Sequence, residues 1–155
     1  MDIRLLKQQE LIPALQLTWD VFVADVVPSY STEGVEEFQK FIRFENIAQM
    51  HRNKELIFFG AFEKNEILGV IAGKKDGHIT LFFVKKDMQG HGIGKMLLSE
   101  VFSGLDDSEL IRLHVESNNS KALDFYKRIG FQPIEETNNR ILMQKVNQKE
   151  KSINL

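Results

Sequence analysis

Gly90, Gly92 and Gly94 stand at alternate positions, with Gln89 before them, His91 and Ile93 between them and Lys95 after. Glycine accepts positive φ and carries no side chain, so other groups can approach such a backbone closely. Leu81 to Val84, just upstream, is a short apolar run of the kind a buried strand needs. Just downstream, Ile93, Leu97, Leu98 and Val101 recur at helical spacing. A strand, a glycine turn and a helix in this order aim the backbone N–H groups from about Gly90 to Lys95 at one point, where the helix macrodipole is positive. That arrangement binds phosphate or pyrophosphate. Spacing excludes two common phosphate loops. For G-x-x-x-x-G-K-[ST], Gln89 falls where the first glycine belongs and Met96 where a magnesium-holding hydroxyl belongs. For G-x-G-x-x-G, Lys95 replaces the third glycine. His91 is a solvated loop residue whose amide matters more than its ring.

The run Gln89-x-x-Gly92-x-Gly94 after an apolar strand resembles the acyl-CoA pyrophosphate loop of the GNAT superfamily of N-acetyltransferases, whose pattern is Arg/Gln-x-x-Gly-x-Gly/Ala. A second stretch carries the same resemblance. Asn119, Ala122, Phe125, Tyr126, Gly130 and Phe131 match that superfamily's second signature, Asn-x-x-Ala-x-x-Phe/Leu-Tyr-x-x-x-Gly-Phe. The likeness is sharp from His78 to Phe131 and looser over the rest of the chain. Lys86 stands where the family often has Pro, a departure that leaves the loop intact.

The resemblance implies an acetyltransferase that uses acetyl-CoA, releases CoA and acylates an amine, whether of a small molecule or of a peptide. It implies that the amides of the 89–95 loop hold the pyrophosphate. It also implies that the pantetheine arm pairs with main chain near Phe83 and Val84, where two parallel strands splay apart. Tyr126 occupies the family's position for the acid that serves the departing thiolate, whose ordinary pKa is near ~8.5. Asn119 suits a helix N-cap and would contact the cofactor as its family counterpart does. For the base that strips the attacking ammonium, Glu116 is the first choice; His114 shares its strand face and His78 begins the neighbouring strand. The acceptor pocket is expected at the junction of the first two helices, with Trp19, Phe22 and Tyr30 as its contacts. Asp20, Asp25, Glu33, Glu36 and Glu37 make that segment acidic, which would attract a cationic amine. The alternative is an acyl-CoA-binding sensor or regulatory module without catalysis; the uninterrupted loop and the intact Tyr126 weigh against it. The four histidines are too scattered to suggest a metal site.

These groups must be positioned by the rest of the chain. Its 155 residues suit one domain, read as 1–146, with a polar tail at 147–155. Hydrophobic residues are 43% and charged residues 27%, with a net charge of −2 and no basic block, which argues against a nucleic-acid surface. Cysteine is absent, so no disulfide framework or thiol nucleophile exists, and nothing points to secretion. No signal core opens the chain and no pure apolar stretch approaches the roughly 20 residues of a membrane span. A cytoplasmic protein without membrane or nucleic-acid partners is expected, and a homodimer is compatible with the sequence. A first strand is expected at Ile3 to Leu6, then a helix from Gln9 to Val27, a second helix capped by Ser31 or Thr32, and a short third from Asn46 to Arg52. Three closely spaced strands follow, Glu55 to Phe62, Ile67 to Gly73 and His78 to Val84, as an antiparallel meander. The strand, helix and strand spanning His78 to Glu116 form a βαβ unit, so its two strands should run parallel. A helix from Asn119 to Ile129 and a last hairpin complete the chain. The fold class is α/β (α+β), with a mixed, mostly antiparallel central sheet of about seven strands and helices on both faces.

Overall fold

In the computed structural model, residues 1–104 and 110–146 are described; the tail expected at 147–155 lies outside them. Strand β1 (Asp2–Leu5) leads into helix α1 (Leu11–Val21), which continues as a π-turn over Phe22–Val26 and a 3₁₀ turn over Val27–Ser29. Helices α2 (Thr32–Phe41) and α3 (Phe44–Arg52) follow, then β2 (Ile57–Glu63), β3 (Glu66–Gly73) and β4 (Ile79–Val84). Helix α4 (Ile93–Gly104), β5 (Leu110–Glu116), α5 (Ser120–Arg128), β6 (Gln132–Thr137) and β7 (Arg140–Val146) complete the order.

The expected helix over Gln9 to Val27 is helical throughout but changes pitch at Phe22. Pro28 has no N–H to donate, so the α ladder cannot run on through it. The Val27 N–H reaches back to the Phe22 carbonyl, one residue further than an α bond. By length and mean hydropathy alone, the run Gln8–Ser29 would suffice to cross a membrane. Here Leu11, Ala14, Leu17, Thr18 and Val21 form one buried stripe against the sheet, as in an amphipathic core helix. Ser31 caps α2 by accepting from the Gly34 N–H at 3.0 Å.

The strands form two sheets rather than one, β1-β2-β3-β4 and β5-β7-β6, antiparallel within each. Among the described residues they are joined by one parallel bridge, His78 to Arg112, with the Arg112 N–H donating to the Gly77 carbonyl at 2.9 Å. The parallel relation expected of a βαβ unit is therefore present at the foot of β4 and β5, and beyond it they separate. One core holds both sheets. Ile93, Leu97, Leu98 and Val101 of α4 pack with Phe59, Leu68 and Ile71 of the first sheet and with Ile111, Leu113, Val115 and Met143 of the second. A second core lies on the other face of the first sheet, where Leu11, Leu17 and Val21 of α1 and Ile47 of α3 meet Phe58, Val70 and Leu81. The first sheet is thus covered on both faces, which explains its nearly continuous apolar strands. The second is covered on one face only, and β5 alternates accordingly: Ile111, Leu113 and Val115 are buried, whereas Arg112, His114 and Glu116 face the other way.

The corner between β1 and α1 is fixed by Arg4 and Glu10. The guanidinium donates to both carboxylate oxygens, at 2.8 and 2.6 Å, and lies 4.0 Å from the centre of the Phe62 ring. The Arg4 hydrogen bond, aided by the Lys7 N–H, holds the Glu10 carboxyl down at about 2. Because this pKa is depressed in the folded chain, the stabilisation is complete above the ordinary value of 4.5 and is lost as pH falls toward 2. We expect Glu10→Gln to lower Tm near neutral pH, with the gap from wild type closing over that acid range. Thermal melts at a series of pH values check this; a gap independent of pH would remove the carboxylate from the account.

Candidate active site

The glycine loop does two different jobs. Gly90 and Gly92 have φ of +83° and +85°, and a side chain at either would point into open space. The positive φ lifts the loop so that its amides face outward ahead of α4. Gly94 is ordinary helix. A Cβ there would come within 3.3 Å of Phe125 and 3.4 Å of Phe82, so its smallness serves packing. Among the described residues, no acceptor meets the backbone N–H groups from Gly90 to Lys95, whereas the next one, Met96 N–H, bonds Gly92. These are the orphan donors of a helix start, extended upstream by the two left-handed glycines. His91 is exposed, and its Nδ1 lies 3.2 Å from the carbonyls of Met88 and Gln89.

The loop opens onto the gap between β4 and β5. In the β3–β4 ladder, Phe83 faces Val70, and the Lys85 N–H donates to the Leu68 carbonyl at 2.8 Å. Ladder bonding alternates, so Phe83 turns its main chain toward β3, whereas Phe82 and Val84 turn theirs into the gap. Of the two residues expected to meet a pantetheine arm, Val84 thus offers its backbone there. Phe83 sends its ring to the opposite face, 5.9 Å from Phe38. The Val84 carbonyl already accepts from the Gln89 side chain at 3.1 Å.

Tyr126 stands beside this gap. Asn119 fixes its helix by accepting from the Ala122 N–H at 3.2 Å, and Gly130, at φ +104°, ends it. The Tyr126 ring lies 6.1 Å from Phe82 of β4, 5.3 Å from Phe125 and 5.5 Å from Phe131. Its hydroxyl makes no hydrogen bond among the described residues, and burial pushes its pKa well above the ordinary phenol value. At neutral pH it is a proton donor and not a base.

On the opposite face, the three acceptor candidates come together as one aromatic chain. Trp19 stacks on Phe22 at 5.8 Å, Phe22 meets Tyr30 edge-on at 5.2 Å, and Phe38 stacks on Phe22 at 4.0 Å. Phe22 is only 1% exposed, so it backs this wall and offers no face to a ligand, whereas Tyr30 is half-buried. Burial raises the Tyr30 pKa, and the nearby Glu116 carboxylate raises it further. Glu116 has only 16% of its side chain exposed, and its Oε1 lies 3.8 Å from Arg140 Nε. Burial raises the Glu116 pKa against the pull of Arg140, so the group is a stronger base than a free glutamate. His78 and His114 lie 5.2 Å apart at the foot of the gap. Desolvation pushes both imidazoles below their ordinary range, helped beside His78 by His114, Arg112 and Lys74 and beside His114 by Arg140 and Arg112.

Several functional neighbours were not read from the sequence. Arg140 meets Glu116 only because β7 pairs with β5 in that register. Phe38 lies on α2, and nothing in its local sequence marks it as a neighbour of Phe22. The partners of the Gln89 side chain lie on distant segments and left no local signal.

A family model for the acetyltransferase (GNAT) domain matches residues 26–146. The spermidine N(1)-acetyltransferase of Thermoplasma acidophilum is 24% identical over 156 aligned positions, covering 93% of this chain and 96% of that protein. Among solved structures, the PaiA N-acetyltransferase of Thermoplasma acidophilum in complex with coenzyme A superposes with a TM-score of 0.82 at 22% identity, over 94% of this chain and 99% of that one. The ribosomal-protein-alanine N-acetyltransferase of Brucella melitensis does so at 0.71 and 16%, over 94% and 99%. At these identities the structural likeness carries the fold alone.

The loop geometry makes one prediction. Gly92→Val places a β-branched residue at positive φ, a strain of about 1–3 kcal/mol, and fills the space over the amides. Calorimetry with CoA should show its Kd raised at least ~10-fold, and an unchanged Kd would mean that the nucleotide binds elsewhere.

Proposed function

The chain belongs to the GNAT acetyltransferase family, and we propose that this acetyl-CoA-dependent enzyme acetylates a small cationic primary amine by direct attack of the amine nitrogen on the thioester. The observation that carries the reading is the run of unpartnered amides from Gly90 to Lys95, opening onto a gap where two strands decline to pair. A pyrophosphate on those amides directs the rest of the cofactor into the gap, whose depth is lined by Val84 main chain and whose side carries Tyr126. Bound there, acetyl-CoA supplies an activated acyl group. Amides already turned into the gap can donate to the carbonyl oxygen as it gains charge, and such a fixed donor is worth about 2.7–4 kcal/mol of barrier.

Glu116 takes a proton from the incoming ammonium, directly or through water. The nitrogen then forms a bond to the carbonyl carbon, the carbon–sulfur bond breaks, sulfur leaves as thiolate, and the proton that the new amide nitrogen sheds passes through water to that sulfur, giving the amide and the CoA thiol. Tyr126 donates to that sulfur. A phenol held above its ordinary pKa would lose free energy by handing its proton to a thiolate of pKa near ~8.5 in water. In this desolvated place the thiolate too becomes more basic, which narrows the mismatch, and the hydrogen bond itself stabilises the leaving group.

Two things support a cationic acceptor. The aromatic wall ends at the Glu116 carboxylate, and aromatic faces and carboxylates both favour ammonium groups. The relative named above acts on spermidine, which puts polyamines first among the amines to be tried.

Acetyl-CoA incubated with polyamines, aminoglycosides, amino acids and peptide N-termini, with free thiol followed, tests the reading. Thiol release with spermidine is expected. Tight CoA binding without thiol release for any amine would favour an acyl-CoA sensor instead. Tyr126→Phe should lower kcat by ~10²-fold with little change in the Kd for CoA. Unaltered kcat would remove the phenol from the chemistry. For Glu116→Gln, the acid limb of the kcat/KM profile, which should lie above the ordinary glutamate value of 4.5, should vanish. A limb that persists in the variant would assign the base to another group.

A further inference from the structure

The Gln89 side chain opens the pyrophosphate loop, yet its contacts point away from it. Its Nε2 donates to Asp25 Oδ2 at 3.1 Å and to the Val84 carbonyl at 3.1 Å, and its Oε1 accepts from Lys121 Nζ at 3.2 Å. Both donor hydrogens and one acceptor lone pair are thereby engaged. A carboxamide is the side chain that can do this, because it carries two donors and an acceptor on one rigid plane. Glutamate would face Asp25 and the Val84 oxygen with lone pairs, and arginine would face Lys121 with a like charge. The four segments so tied are the π-turn of the acceptor side, the end of β4 at the gap, the loop itself and the first turn of α5. Asp25 is held a second time, by Lys86 Nζ from the 3₁₀ turn just before Gln89. Its side chain is 20% exposed, and burial works against its charge; the Lys86 ammonium and the Gln89 amide more than offset this and keep it ionised.

Asp25 lies within the π-turn that Phe22 begins, and Trp19 and Tyr30 both contact the Phe22 ring. A shift of the turn's backbone at Asp25 would carry Phe22 and the rings against it along. Whatever moves Gln89 moves the residue next to Gly90. π-turns inside helices recur at functional sites, where they aim a side chain that regular pitch would turn elsewhere.

We propose that Asp25 and Gln89 form a positioning brace that couples the two substrate sites, so that a cofactor seated on the 90–95 amides sets the position of the acceptor wall. The proposal rests on the reading of the loop as the CoA site. It makes the Gln89 side chain a strut between sites, while the loop's backbone does the binding. By linkage, the same brace lets a bound amine tighten the cofactor site by an equal factor.

The chain holds a single tryptophan, Trp19, stacked on Phe22 at the end of this brace. Its emission reports the wall without any knowledge of the acceptor. In wild type, CoA should change Trp19 emission with the midpoint that calorimetry gives for CoA binding. In Asp25→Ala the emission change should fall below about a third of the wild-type amplitude, the range expected when a coupling of several-fold is cut. Its calorimetric Kd for CoA should stay within about fivefold of wild type, as suits the loss of a half-exposed ion pair that makes no contact with the loop amides. Asp25→Asn keeps an oxygen for the Gln89 amide and should retain most of the response. Asp25→Ala that binds CoA and responds as wild type does would overturn the brace and leave the CoA site standing, as would a wild-type protein that binds CoA with Trp19 silent. Loss of the response in Asp25→Asn as well would overturn the role given to Gln89, since it would place the coupling in the Lys86 ion pair. A wild-type protein that takes up no CoA in calorimetry would bring down both the loop assignment and the brace.

Discussion

The hydrogen bonds that β4 and β5 do not make are the constraint on which the molecule depends. Two parallel neighbours that begin to pair at His78 and Arg112 would ordinarily zip together, because an unpaired strand edge leaves polar groups without partners. Here the core beneath them sets the geometry. Helix α4 packs against both sheets at once through Ile93, Leu97, Leu98 and Val101, so the two sheets share one core while only one bridge joins them among the described residues. Apolar burial on one side thus maintains polar groups unpaired on the other. The glycine loop lies at the top of the same helix, so its unpartnered amides and the unpaired main chain of β4 share one support.

The two faces of the gap have different chemistry, and strand periodicity assigns them. On the α4 side, Phe82, Phe125, Tyr126 and Phe131 form an aromatic cluster around a phenol that stays protonated. On the other side, Tyr30 and Arg140 surround a carboxylate of raised basicity at Glu116. Burial raises the pKa of both groups, which keeps the phenol protonated and makes the carboxylate a stronger base than a free glutamate. The pairing of Glu116 with Arg140 has a second effect. It holds the carboxylate in place, at the modest strength of a partly exposed ion pair.

Much of this was legible in the chain because the signals are local. The alternate glycines, the apolar strand before them and the helical repeat after them lie within a few residues of one another. Asn119 three residues before Ala122 announces a cap, and the structure has it. Ser31 does the same for α2. The roles that sequence could not supply are those that need distant segments to meet. Gly94 looks like its neighbours in sequence, but its lack of a side chain answers to Phe82 and Phe125. Arg140 reaches Glu116 through strand register, and Asp25 reaches Gln89 across sixty-four positions of chain. The division of the expected sheet into two, of four and three strands, is equally non-local, because no residue of β4 or β5 forbids pairing.

The π-turn over Phe22–Val26 has a consequence for how such a site can change. A wider turn is what a helix makes when it holds one residue more than its α pitch can place. Val23 and Ala24 within it are exposed, so the fold could lose one of them without opening the core. Such a deletion would let α pitch resume, and the residues kept within the turn would shift by roughly 100° about the helix axis while the elements on either side stay in register. Asp25 would swing off its partners, and a different side chain would take its bearing toward the gap. A single codon gained or lost here acts as a phase setting for the aromatic wall of Trp19, Phe22 and Tyr30, while the strands, the glycines and the phenol remain where they are.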